Sequence, residues 1–336
     1  MSVRVSVIMP CFNVEKTVTY AIESLSRQTF RNFELIAVDD GSVDNTAKLL
    51  RIAAKKVDFK MIVIEKKNEG VAVARNIGMD KATGKYITFL DGDDMYDETF
   101  LEILVNVMDK NDKCDVAFCS FKKISELSKK FNEKNNEKLN EKNNEKNSVK
   151  NSKKIRWMSQ KELFQNLMFR NIPTSMWCYM YIRKKIVDKN LRFTENVQYG
   201  EDSEFLWKYL VNCNKGGVVD KKLYYYYNNP QSALNNLSWN KVQSADVINR
   251  IYDYMKKTEI SCADDFYKYM YPRTLLAIYK MFLKNGKVKY AKKFERDYKL
   301  RKEMKVLTKS PDLKIRSTAR VYIICPFICR NILKII

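Results

Sequence analysis

Histidine is absent from all 336 residues. That excludes Ser-His-Asp and Cys-His catalysis and every His-ligated metal site. A general base near neutral pH must then be a carboxylate or, failing that, Lys, Tyr or Cys. Cysteines 11, 114, 119, 178, 213, 262, 325 and 329 form no C-x-x-C knuckle, and the spacing from Cys325 to Cys329 is wrong for a zinc ribbon, so reduced, cytosolic thiols are expected. No G-x-G-x-x-G follows the first strand, which excludes the dinucleotide fingerprint. The P-loop pattern G-x-x-x-x-G-K-[ST] is missing too, so phosphates cannot rest in a glycine cradle of that kind. The apolar run near the C-terminus is too short and too interrupted by Pro326 and charge to span a bilayer. No export leader is expected, because Met1-Ser2-Val3-Arg4 runs directly into the first strand.

What the chain has in excess is positive charge. Its 62 Lys+Arg against 40 Asp+Glu leave +22, which attracts polyanions: nucleic acid, an anionic membrane surface or nucleotide-linked substrates. The length suffices for a large core and two structural parts.

The stretch from Gly84 to Asp94 organises the rest. Tyr86 to Leu90 are aromatic, β-branched or apolar, as in a strand covered on both faces. Asp91, Asp93 and Asp94 then fall within four residues. Carboxylates this close raise each other's pKa values, and a divalent cation is the economical remedy. The same residues also fit an acidic turn with Asx hydrogen bonds and an N-cap for the next helix.

Strand and helix signals alternate around this stretch. Strands are expected at Val3 to Met9, ended by Pro10, then at Phe33 to Val38 and at Phe59 to Ile64. Helices are expected at Glu15 to Arg27, after Asp44, and at Val71 to Lys81. A helix from Glu98 to Lys110 and a strand from Cys114 to Phe121 follow. The pattern predicts an α/β fold with a mostly parallel, Rossmann-like sheet flanked by helices. Lys129 to Lys154 are almost only Lys, Asn, Glu and Ser, and residues 126–154 predict a solvated insertion, disordered or a frayed charged helix. Its glutamates offset the lysines and no aromatic is interleaved, so nucleic-acid binding is not expected. Met176 to Ile182 and Leu223 to Tyr227 read as strands. The tyrosines Tyr224 to Tyr227 fit either stacking on a sugar or packing. Residues 240–312 read as mainly helical. The tail 313–336 mixes basic and apolar residues, which fits an amphipathic segment on an anionic membrane or a final helix docked on the body.

Four strand-end turns converge on one edge of such a sheet: Pro10-Cys11-Phe12-Asn13, Asp39-Asp40-Gly41-Ser42, Asn68-Glu69-Gly70 and Asp91-Gly92-Asp93-Asp94. With Ser24 to Phe30, Val71 to Gly78 and Phe89-Leu90, these residues resemble the family 2 glycosyltransferases of bacterial surface-polysaccharide synthesis. The likeness is in order and nearly continuous over residues 1 to about 120. It implies the GT-A fold and an inverting transfer from a nucleotide-diphospho sugar, with UDP the first choice of nucleotide, to a lipid-linked surface glycan. By the same resemblance Phe12 and Asp40 contact the base with Asp39 nearby, and Pro10 and Glu15 shape the pocket. Asn68 and Gly70 line the donor site, and Arg75 approaches the donor. Asp91 contacts ribose or metal, and Asp93 is the main ligand of Mn²⁺ or Mg²⁺. Gly200-Glu201-Asp202 resembles the acceptor-side Glu-Asp pair, with Asp202 as general base and Glu201 its rival. Read without the resemblance, that pair also suits a helix N-terminus. Relatives often carry an Arg before the final Ser of the segment after the tyrosine strand, and Tyr227 to Ser232 has none.

The expected organisation is a nucleotide-sugar-binding half at 1–125 and an acceptor-binding half at 155–239, before the helical region and tail. The expected place is peripheral, on the inner face of the cytoplasmic membrane. The competing reading is a non-catalytic scaffold of the same fold that binds nucleotide sugar or membrane.

Overall fold

The computed structural model describes residues 2–126, 155–228 and 238–335, and the Lys/Asn/Glu-rich segment 127–154 lies outside the described residues. Two compact units form: Met1–Asn196 with Asn212–Gln231, and Val197–Val211 with Ser232–Ile336. The segment 155–239 is therefore shared between them.

The first unit holds a nine-stranded sheet. Strands β1 (Val5–Cys11), β2 (Phe33–Asp39), β3 (Lys60–Glu65) and β4 (Tyr86–Phe89) are mutually parallel in the order β3-β2-β1-β4. Helices α1 (Val18–Ser26), α2 (Thr46–Ala54) and α3 (Val71–Lys81) connect them. Every residue of β1 and β2 is buried, as expected for strands covered on both faces. The expected end of β1 at Pro10 is corrected, since pairing with β2 continues through Pro10↔Val38 and Cys11↔Asp39. The Leu90 N–H donates to the Ile8 carbonyl, so Pro10, two residues on, turns its nitrogen to the same side. Pairing with β4 ends at Ile8↔Phe89, and no ladder bond is lost there.

The sheet continues through β8 (Tyr179–Ile182), β6 (Val116–Ile124), β9 (Lys215–Tyr227) and β5 (Met95–Tyr96), while β7 (Arg156–Ser159) pairs with β9. The expected strand from Met176 is shorter than expected: Met176–Cys178 form a 3₁₀ turn before β8. Three strands separate β4 from β5 in the order, yet Tyr96 Oη donates to the Phe89 carbonyl at 2.7 Å. The long β9, out of regular register with β6 around Ser120, must therefore bend back toward β4. The acidic turn spans this short gap and is anchored at both ends. Helices α4 (Phe100–Asp109), α5 (Gln160–Met168) and α6 (Arg183–Asp188) complete the unit.

The second unit is helical: α7 (Glu201–Val211), α8 (Gln243–Lys257), α9 (Ala263–Lys284), α10 (Val288–Asp297), α11 (Leu300–Leu307), α12 (Leu313–Ile324) and α13 (Pro326–Ile335). The tail packs inward through Ala319, Tyr322, Cys329 and Leu333, in one cluster with Leu275, Tyr279, Phe282 and Leu307. Pro326 divides it: Cys325 before it is extended, and Pro326 opens the next helix without losing a bonded N–H. Leu313, Ile324 and Ile328 remain exposed. Among the described residues no helix is long and apolar enough to cross a membrane.

One buried charge ties the parallel half together, and no sequence pattern announced it. Glu34 is fully buried on β2. Its Oε1 accepts from Ser6 Oγ, Thr83 N and Thr83 Oγ1, and its Oε2 accepts from Lys60 Nζ at 2.6 Å. Ser6 Oγ in turn accepts from Gly84 N. A Cβ on Gly84 would meet Ser6 N at 2.6 Å, so only glycine lets the chain enter β4 this close to β1. Burial pushes the Glu34 carboxyl up, and the hydrogen bonds from Lys60, Ser6 and Thr83 outweigh it, leaving the pKa below its ordinary value. The stabilisation is therefore complete above the unfolded carboxyl value and lost as pH falls through the folded one. Glu34→Gln should cost about 1–3 kcal/mol at pH 7, because one donor loses its acceptor. The gap from wild type should close as denaturation curves are repeated below about pH 4.

Candidate active site

The carboxyl ends of β1 to β4 carry the four predicted turns. Their loops are fastened to one another before any ligand is considered. Ser42 Oγ accepts from Asn13 N, and Asn13 Oδ1 accepts from Val43 N, both at 2.9 Å. Thr46 Oγ1 accepts from Val14 N, and Asp44 Oδ2 accepts from Glu15 N. Glu15 Oε2 accepts from the backbone and side-chain nitrogens of Asn45. Glu15 thus shapes the edge by holding the start of α2. Phe12, at the tip of the β1 loop, stays 48% exposed, an aromatic face held out on a braced loop.

Asp39 and Asp40 are both buried and both engaged. Asp39 accepts from Ser42 N and Ser42 Oγ. Asp40 Oδ1 accepts from Lys66 Nζ at 2.7 Å and Glu69 N at 3.0 Å, and its Oδ2 accepts from Gly70 N at 2.8 Å. The predicted Asn68-Glu69-Gly70 turn is therefore folded onto Asp40. Gly41, at φ +73°, permits this, since a Cβ there would meet Asn68 N at 2.6 Å. Lys66 closes the same clasp through Glu69 at 2.9 Å. Sequence reasoning passed over Lys66 because a lone lysine after a strand carries no pattern.

The three carboxylates after β4 divide by environment. Asp94 is 1% exposed, while Asp91 and Asp93 are partly exposed. Asp94 Oδ2 accepts from Tyr224 Oη at 2.7 Å, and its Oδ1 accepts from Tyr227 N at 2.8 Å. Burial, then the charges of Asp93 and Asp91, push the Asp94 carboxyl well up, against the bond from Tyr224. Asp91 Oδ1 meets Arg75 at 3.0 Å, and Arg75 is itself buried with its guanidinium over the Phe193 ring. Gly92 is the point of closest approach: a Cβ there would meet Cys11 Sγ and Val14 at 3.2 Å, and its carbonyl accepts from Thr17 Oγ1. The convergence shows in the Cys11 thiol, whose pKa burial raises and the charges of Asp39, Asp93 and Asp91 raise further.

Of the tyrosines, Tyr224 is buried as packing and as the partner of Asp94, and Tyr225 donates to Asp97. Tyr226 is half-buried, stacked on Trp177, and feels the charges of Asp94, Asp93 and Asp91. The role of Tyr224 was missed because its bond to Asp94 spans 130 positions. The segment after Tyr227, read for its missing Arg, lies outside the described residues from 229 to 237.

No group of three His, Cys, Asp or Glu side chains placed to hold a metal occurs among the described residues. The donor set nevertheless fits Mg²⁺ or Mn²⁺: two hard carboxylates, Asp91 and Asp93, on a partly open turn whose third carboxylate faces inward. Such ions are held by one or two carboxylates, the rest of the shell coming from phosphates and water.

Glu201 and Asp202 stand at the N-terminus of α7 in the second unit. Gly200 before them has φ +89°, and a Cβ there would meet Val247 Cγ2 at 2.9 Å. Glu201 is buried, Asp202 is partly exposed, and Asp202 Oδ1 accepts from Ser203 N.

Comparison with known proteins agrees with this picture. An open α/β sheet with this edge, extended by a helical region, is similar to the crystal structure of S. aureus TarS 1-349 in complex with UDP-GlcNAc, with a TM-score of 0.70 at 18% identity over 98% of this chain and 90% of that one. The fold is of the GT-A type expected. Residues 6–191 match the model for glycosyl transferase family 2, and the chain belongs to that family. An uncharacterized glycosyltransferase of Bacillus subtilis, EpsJ, is 30% identical over 68% of this chain and 62% of its own length. The minor teichoic acid biosynthesis protein GgaB of the same organism is 31% identical over 66% of this chain and only 22% of its own.

Tyr224→Phe should leave Asp94 one donor short and lower stability by about 1–3 kcal/mol, read as a fall in Tm. Tyr226→Phe, whose hydroxyl bonds nothing among the described residues, should leave the melt in place.

Proposed function

We propose that this protein is an inverting glycosyltransferase that moves a sugar from a nucleotide-diphospho sugar, most simply a UDP-sugar, to a hydroxyl of a growing, lipid-linked surface glycan. The observation that carries the reading is the strand-end edge itself. Phe12 offers an open ring, Asp39 and Asp40 shape a buried polar wall, and Asp91 and Asp93 present carboxylates beside Arg75. Family membership, the relative named for teichoic acid biosynthesis and the UDP-GlcNAc complex of TarS support the donor and acceptor classes. An anionic membrane surface as the place of work fits the charge of +22 and the exposed Leu313, Ile324 and Ile328 of the tail.

Single displacement at the anomeric carbon needs a base on the acceptor and a stabilised leaving group. A divalent ion, Mn²⁺ or Mg²⁺, bound with the diphosphate would supply the Lewis acid for that leaving group. Asp93 and Asp91 are the residues to hold it, with Arg75 fixing Asp91 in place. Asp94 and Tyr224 keep the turn rigid from behind. Phe12 stacks on the base, and Asp39, Asp40, Asn68 and Gly70 form the nucleotide side of the pocket. Asp202 accepts the proton of the attacking hydroxyl at its carboxylate, with Glu201 the rival. No histidine competes for that role.

The test is a panel of nucleotide sugars with Mn²⁺ or Mg²⁺, scored by release of free nucleotide with and without EDTA, using a bacterial glycolipid extract as acceptor. One donor should give metal-dependent release. Asp93→Asn should abolish both metal-dependent nucleotide binding and turnover. Asp202→Asn should keep donor binding by calorimetry and lose transfer by about 10²-fold or more. Equal turnover by Asp202→Asn and wild type would remove that residue from the mechanism.

A further inference from the structure

Lysine is seldom buried without a carboxylate partner, because its charge loses water. Lys241, in the 3₁₀ turn Trp239–Val242 ahead of α8, is only 8% exposed. Among the described residues it makes no salt bridge within 4 Å. Its Nζ instead sits 3.4 Å from the centroid of the Tyr199 ring. Among the described residues the carboxylate that acts on it is Glu201, whose charge opposes the downward push of burial on the ammonium.

The neighbours of Lys241 grip the same short turn. Asn240 Nδ2 donates to Gln198 Oε1 at 2.9 Å, and Gln198 N donates to Gln243 Oε1 at 3.1 Å. Val247 lies against Gly200. Gln198 and Gly200 thus meet neutral contacts on either side of the ammonium. The field of the lysine falls on Glu201, next to Asp202 at the start of α7. The next acid on α7, Glu204, is already neutralised by Lys208 at 2.6 Å and Arg250 at 2.7 Å. On α8, Asp246 acts on Tyr271 and Tyr298. Two adjacent carboxylates oppose each other's ionisation, and a nearby cation relieves this.

We propose that Lys241 is a positioning residue for transfer: from its seat on Tyr199 it keeps the Glu201–Asp202 pair charged and oriented, so that Asp202 can act as base. The proposal rests on the glycosyltransferase reading for the role of Asp202. Lys241→Met keeps the aliphatic packing on Tyr199 and removes the charge; Lys241→Arg keeps the charge. With the active donor, Lys241→Met should lower kcat about tenfold with donor KM within about twofold of wild type. The acid limb of its pH profile should move to higher pH, and Lys241→Arg should restore most of the rate. Wild-type kcat and an unmoved acid limb in Lys241→Met would overturn the proposal. So would equal loss in both variants with a lowered Tm, which marks a structural role.

A second readout needs no turnover. Carbon-13 NMR titration of the Glu201 and Asp202 carboxyls in the full chain should show higher midpoints in Lys241→Met than in wild type. Unchanged midpoints sink the inference even if transfer is observed. Raised midpoints in Lys241→Met, with a wild type silent toward every donor, would uphold the electrostatic link and fail the transferase reading instead.

Discussion

The hydrogen bond from Tyr224 to Asp94 decides what the acidic turn presents. Three carboxylates in four residues repel one another, and a turn free to move would expose them all. Tyr224 Oη and Tyr227 N bind Asp94 from β9, so it faces inward and leaves Asp91 and Asp93 at the edge. The bond is possible only because β9 bends back far enough for β5 to reach β4. The sheet's curvature, and not the acidic sequence alone, makes two of these residues available and one structural.

The opposite side of the edge follows the same logic. Each loop is braced by its neighbour's side chains: Ser42 and Asn13 reciprocally, Glu15 on Asn45, and Asp40 on the backbone of Glu69 and Gly70. Short polar side chains close such loops well, because they replace water at backbone N–H groups without needing a strand partner. Beneath the loops, Glu34 ties β1, β2, β3 and the entry to β4 into one unit. A site preorganised in this way spends little binding energy on ordering its walls.

The second unit answers a different constraint. Helices α8 to α13 share one apolar cluster, and the basic tail enters that cluster through Ala319, Tyr322, Cys329 and Leu333. Docking uses the inward residues and leaves Leu313, Ile324 and Ile328 outside. A tail that packs and a tail that touches a membrane therefore draw on different faces of the same two helices. The segment Val197–Val211, which carries α7, belongs to this unit although the chain on both sides of it belongs to the other. That is why reading the chain in order placed Glu201 and Asp202 with the strands around them.

Strand and helix order, the parallel half of the sheet and its four polar turns were legible in the residues alone. Runs such as Val5 to Met9 and Phe33 to Val38 bury both faces whatever surrounds them, and Gly41, Gly70 and Gly92 mark turns by local geometry. The family likeness was legible for the same reason, being carried by contiguous motifs. What tertiary structure alone decided are the long-range pairings: Tyr224 with Asp94, Lys66 with Asp40, Glu34 with Lys60 and Thr83, and Lys241 on Tyr199 beside Glu201. Each joins a charge or hydroxyl to a partner at least 26 positions away. Periodicity and propensity describe neighbours along the chain, whereas the worth of a buried polar group depends on what folding brings within 3 Å of it.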